Sequence, residues 1–226
     1  MKNLNVSLNQ RVFSLRSGIL ISLMTVVGFA SCTKAETLPV LDLAAQISAL
    51  PLEPLNDNEL HYLQLMREEE KLAYDVYATL YGKWGVNVFL NISSSEQSHT
   101  GSVLALLNKY NLQDPVNNNP VGIFTDLHLQ QLYTELVTQG SKTILDAYII
   151  GATIEDLDIF DLKNAILETD NQDINLVWEN LSMGSRNHMR SFTGQIVALG
   201  SSYSSQFISQ EELLAIISSP RENNKP

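Results

Sequence analysis

Cysteine is nearly absent: Cys32 is the single one in 226 residues. One thiol excludes an internal disulfide framework and a thiolate zinc cluster. Basic residues are scarce too, 14 Lys and Arg against 25 Asp and Glu, for a net charge of −11. So acidic a chain lacks the basic face that phosphate contact requires, and no nucleic-acid partner is expected. Period-two alternation of apolar and polar residues is weak throughout, which argues against a sheet protein. Hydrophobic residues still make up 44% of the chain and charged residues 17%. That ordinary globular balance excludes wholesale disorder.

The first 31 residues carry Lys2, Arg11 and Arg16 and no acid, followed by an apolar run from Gly18 to Gly28. A basic start, an apolar stretch and the small residues Ala30 and Ser31 before a cut make a secretory signal over 1–31. The run is too short to span a bilayer as a mature helix. Cys32 stands where bacterial lipoprotein signals place their lipidated cysteine, and the segment resembles such a signal. The resemblance implies a lipid anchor on Cys32, a membrane partner reached through it, and a place in the cell envelope on a periplasmic or outer-membrane face. Simple cleavage leaving an unmodified thiol is the alternative.

Residues 32–55, with Pro39, Pro51 and Pro54, read as a tether in which Leu41–Leu50 is an apolar stretch able to pack on a domain. From 56 to 199 the 3.6-residue period is strong. It predicts helices over Asp57–Leu80, Asn87–Tyr110, Asp126–Gln139, Ser141–Glu168 and Asn171–Leu199. Asn56 or Asp57 with Glu59 can cap the first, and Gly82 and Gly85 close it. Residues 200–226 hold a short helix, with Ser209 and Glu212 as a capping box, and a frayed tail from Arg221. Four long helices with a link of about thirty residues between the second and the last pair predict an all-α four-helix bundle, whose one long crossover carries an extra helix.

The apolar faces of those helices have polar gaps. In the first, Leu63, Met66, Ala73, Tyr77 and Leu80 leave position 70 to Glu70. Periodicity alone slightly prefers Glu69, whose neighbours Leu65, Met66, Leu72 and Ala73 are all apolar, so both stay open at this level. In the second helix the gaps are Glu96 and His99; in the third, Glu155 with Asp158 one turn on; in the last, His188. At 1.5 Å per residue, Glu70 and Glu96 stand about 16 and 14 Å from their shared hairpin end, and Glu155 and His188 about 20 and 25 Å from theirs. An unpaired buried carboxylate costs several kcal/mol or protonates, so six ionisable groups converging in one interior need a common explanation. Glu68 and Lys71 read as solvated surface, as do His61 and His128, while Tyr77, Tyr148 and Trp178 read as packing.

Four carboxylates and two neutral imidazoles would balance two divalent ions. The mixture suits iron or manganese better than copper, and has too few nitrogens for a closed zinc site. Glu96-Gln-Ser-His99 puts a carboxylate and an imidazole on one helix face, the pairing used by di-iron carboxylate bundles.

With that motif the sequence resembles a ferritin-like domain of the rubrerythrin and bacterioferritin type. It is closer still to an uncharacterised bacterial and archaeal ferritin-like family. The likeness runs through Glu68–Ala73, Ser95–His99, Ile150–Glu155 and Gly184–His188, and covers about 57–199. It implies a metal site of Glu70, Glu96, His99, Glu155, Asp158 and His188, holding two iron ions, with one ion or manganese as alternatives. It also points to Glu70 over Glu69. The sequence departs from the full pattern at Ser185, where a Glu one turn before the histidine is usual. The implied function is metal binding, with oxidoreductase chemistry or iron handling at the envelope. The competing reading is a non-catalytic bundle that binds a partner, its buried acids paired with Arg186 or Arg190 rather than metal.

Overall fold

A computed structural model describes residues 42–223. The expected signal and Cys32 lie outside the described residues, which form seven helices and no strand. These are α1 (Leu43–Ala49), α2 (Asp57–Trp84), α3 (Asn87–Lys109), α4 (Leu127–Gly140), α5 (Ile144–Leu167), α6 (Gln172–Ala198) and α7 (Gln210–Ser218). Helices α2 and α3 pack as one hairpin and α5 and α6 as another; α2 lies against α5 and α3 against α6. The crossover between the hairpins carries α4, which packs on α2 and α5. The fold is the all-α bundle that the periodicity predicts.

Local chemistry sets the boundaries. Asn56 and Glu59 form a reciprocal capping box at the start of α2, and Gly85 ends it in a left-handed conformation at φ 65°. The helix runs four residues past the expected Leu80 because Gly82 is tolerated inside it. Glu59 is fully buried, and its second oxygen accepts the N–H groups of Asp170 and Asn171. One side chain thus ties the start of α2 to the α5–α6 turn. Residues 43–49, expected within the tether, form α1, which lies on α3 and α6 with Ile47 buried. Lys109 caps its end, donating to the carbonyls of Ile47, Leu50 and Pro51.

Two assignments to solvated surface are corrected. Glu68 and Lys71 are buried, because the crossover folds back over them. Glu68 Oε1 accepts the N–H of Thr125 at 2.7 Å and of Asp126 at 3.2 Å. Lys71 pairs with Asp75 and donates to the carbonyl of Pro120 at 3.1 Å. Arg67 adds an ion pair to Asp114 at 2.9 Å. The tail is corrected too: Glu222 pairs with both Arg186 and Arg190, so the chain is held at that point rather than frayed.

The core is not continuous. One apolar cluster contains Ala73, Tyr77, Ile92, Ala152 and Phe192; the other contains Met66, Val103, Leu162 and Leu181. Between them, on all four long helices, lies a layer of ionisable side chains.

Candidate metal centre

Each long helix contributes to that layer. Glu70 comes from α2, Glu96 and His99 from α3, Glu155 from α5 and His188 from α6. The three glutamates are 1–2% exposed. His188 is buried, and the His99 side chain is 14% exposed. The pitch of α2 answers the question left open by periodicity: Glu70 points into the layer, while Glu69 lines a separate cavity between α2, α4 and α5.

The five residues form two groups that share one member. Ligand atoms of Glu70, Glu96 and His99 lie within 4.8 Å of one another, and so do those of Glu96, Glu155 and His188. Each oxygen of Glu96 faces a different imidazole: Oε2 lies 2.7 Å from His99 Nδ1, and Oε1 lies 2.8 Å from His188 Nδ1. Glu70 Oε2 approaches His99 Nδ1 at 3.3 Å, and Glu155 Oε2 approaches His188 Nδ1 at 3.5 Å. The two rings stack with centroids 5.6 Å apart.

These close approaches lack hydrogen-bond direction. Glu70 Oε1, Glu96 Oε1, His99 Nδ1 and His188 Nδ1 are buried without a hydrogen-bond partner. Native interiors rarely leave such atoms unsatisfied, and clusters of them mark a place for an ion or water. Donor atoms that converge without bonding to each other fit a cation between them.

The electrostatics are strained in the same sense. Burial pushes the Glu70 carboxyl up to about 7 against the opposing pull of His99. Burial raises Glu155 as well, opposed by His188. Burial would also raise Glu96, but the imidazoles of His188 and His99 overcome it and hold that carboxyl below its usual range. Burial disfavours charge on the histidines, yet Glu96 and Glu155 push His188 up to about 10, and Glu96 and Glu70 raise His99. Without an ion, protons must do the neutralising.

Asp158, expected among the ligands, stands in neither group. Its carboxyl is engaged by the hydroxyl of Ser185, whose oxygen also lies 3.0 Å from the Leu181 carbonyl. Burial raises its pKa strongly, with further pushes from Glu70 and Glu155. The two hairpins therefore differ in one exchange. On α2 and α3 the residues are Glu70, Ala73 and Glu96 with His99; the counterparts on α5 and α6 are Glu155, Asp158 and Ser185 with His188. The carboxylate absent at 185 reappears across the interface at 158, one methylene shorter and held by the serine.

Arg186 and Arg190 do not serve as counter-ions for the layer. Arg190 bonds Glu222 at 2.8 Å and the Ile216 carbonyl at 2.9 Å, and Arg186 also pairs with Glu222. Both point away from the acids because His188, between them in sequence, faces inward. His61 and His128 are exposed.

Two contributors were not evident from sequence. Tyr77, read as packing, donates a hydrogen bond of 2.6 Å to Glu155 Oε1; its position two turns after Glu70 was the available signal. Gly184 is the other. A Cβ there would sit 2.4 Å from His99 Cε1 and 2.6 Å from Nε2, so the His99 ring occupies the space that any side chain would take.

Comparison with known proteins yields one family. Residues 59–220 match the family described as an uncharacterized protein domain, DUF2202. The uncharacterized protein MJ0754 of Methanocaldococcus jannaschii is 52% identical over 176 residues, covering 78% of this chain and 95% of its own. The crystal structure of the hypothetical protein MJ0754 superposes with a TM-score of 0.76 at 52% identity, covering 77% of this chain and 99% of that one. On this evidence the chain belongs to the DUF2202 family of helical domains.

Proposed function

We propose that this protein binds metal in a ferritin-like manner, at a dinuclear centre of carboxylate and histidine ligands suited to iron or manganese. The observation that carries the reading is the division of Glu96, one oxygen toward each histidine, at the meeting point of two three-residue groups. Glu70 and His99 would hold one ion, Glu155 and His188 the other, with Glu96 between them. Asp158 would stay on Ser185 at the second ion. Iron or manganese in such a setting supplies redox change or Lewis-acid activation of a small ligand. The rest is the chain's own work: two apolar clusters exclude water, and Tyr77 fixes the orientation of Glu155.

The pairing of Arg186 and Arg190 with Glu222 counts against the competing reading in which those two arginines neutralise the buried acids. A lipid anchor at Cys32 and a place on the cell envelope are part of the proposal and rest on residues 1–32 alone. Cys32→Ser should move the protein from the membrane to the soluble fraction.

The test is elemental analysis of the protein purified without chelator. Close to two iron or manganese ions per chain are expected. No metal after anaerobic loading with ferrous ion would overturn the reading, and one per chain would replace the dinuclear centre by a mononuclear one.

A further inference from the structure

The cavity between α2, α4 and α5 adjoins the layer through a shared wall. Leu72, Leu136, Ile154 and Phe207 are among its apolar walls, and Glu69 and Asp158 supply carboxyl groups. Asp158 lines the cavity and is also held by Ser185, the α6 residue that stands where a carboxylate ligand would complete the second group. Glu69 Oε2 is buried without a hydrogen-bond partner. It is a single polar contact point in an otherwise largely apolar lining.

Size and polarity limit the guest. The cavity measures ≈ 40 Å³; since one water needs about 10–15 Å³ on this measure, it holds a molecule of about two to four heavy atoms. A divalent ion with its waters is far too large, and shedding them among leucine side chains is costly. An anion would face two carboxyl groups. Phe207 is the one lining side chain that is largely exposed, at 41%. It belongs to the segment after α6, which Asp156 clamps by accepting the N–H groups of Gln206, Phe207 and Ile208 and the hydroxyl of Tyr203.

We infer that this cavity is the chamber through which small uncharged molecules reach the centre, with Phe207 as its stopper and Asp158 as the wall between chamber and ions. The inference rests on the proposed metal centre for its purpose, but the chamber can be tested without metal.

Crystals of the protein pressurised with xenon should show one xenon atom in the apolar part of the cavity, among Leu72, Leu136 and Ile154, since apolar pockets take up xenon. Occupancy should persist in Phe207→Ala and vanish in Ala73→Leu, whose longer side chain fills the space from α2. With ferrous-loaded protein, nitric oxide serves as a neutral diatomic probe in stopped flow. Its binding should be about tenfold slower in Ala73→Leu and about tenfold faster in Phe207→Ala, as for a gated site, with iron stoichiometry unchanged. Phe207 is exposed, so that variant keeps the test usable if Ala73→Leu fails to fold. Equal nitric oxide rates in fully loaded wild type and Phe207→Ala would overturn the inference, as would an empty chamber under xenon in both. If no variant binds iron, the metal reading fails and xenon occupancy alone decides the chamber.

Discussion

Glu96→Gln separates a metal centre from a network of protonated pairs. Both oxygens of Glu96 are committed, at 2.7 and 2.8 Å from the two histidines, so one near-isosteric change weakens both groups. A ligand that binds only the folded state at 100 times its Kd adds about 2.7 kcal/mol, and two ions each at that excess about 5 kcal/mol. In a unit of this size each kcal/mol moves Tm by about 2–4 °C, so saturating metal should raise Tm by about 10–20 °C. In the variant each ion loses its central anionic ligand, and the rise should shrink below about 5 °C. The metal-free variant also falls in stability, because removing one partner of buried charges costs about 3–5 kcal/mol. The quantity to compare is therefore the metal-induced rise, not Tm itself. Calorimetry on both proteins, with chelator and with ferrous or manganous ion, gives it. A wild type indifferent to metal, or a variant with the full rise, would refute the reasoning.

Gly184→Ala should evict the His99 ring, whose atoms lie 2.4–2.6 Å from the new Cβ. Elemental analysis should then find one ion per chain, kept by Glu155 and His188. Glu59→Ala should strip acceptors from the N–H groups of Asn56, Asp170 and Asn171. Of the three residues only Asn171 is buried, the other two being open to water, so at about 1–3 kcal/mol for one buried group left unsatisfied urea unfolding should register a loss of about 1–3 kcal/mol. Glu222 gives a pH dependence whose sign is fixed: hydrogen bonding from Arg186, against the opposing effect of burial, lowers its carboxyl from 4.5 to about 2. Its stabilisation is complete above pH 4.5 and fades as pH falls through about 2. The side chain is 32% exposed, so solvent screening limits the effect to about 1 kcal/mol. The Tm difference between wild type and Glu222→Gln should shrink between pH 6 and pH 3.

Much of this was legible in the sequence because helices write their faces at a fixed period. The four long helices and the convergence of Glu96, His99, Glu155 and His188 follow from a 3.6-residue repeat and a 1.5 Å rise, whereas periodicity leaned to Glu69 and only the family resemblance pointed to Glu70. Surface assignments failed where burial comes from elements distant in sequence. Glu68 and Lys71 sit on the outer face of α2 and would be solvated if the crossover did not return over them. The same limit hid the roles of Gly184 and Asp158. A glycine's missing side chain means nothing until a particular ring fills the gap. Ser185 and Asp158 stand 27 residues apart, and their contact exists only once α5 and α6 pack. Composition and periodicity determined the bundle and most of the faces its helices turn inward, since both are local properties of a helix. Which oxygen faces which imidazole, which acid is claimed by a serine and which arginines are drawn away to Glu222 depend on the meeting of separate helices, and only the tertiary structure decided them.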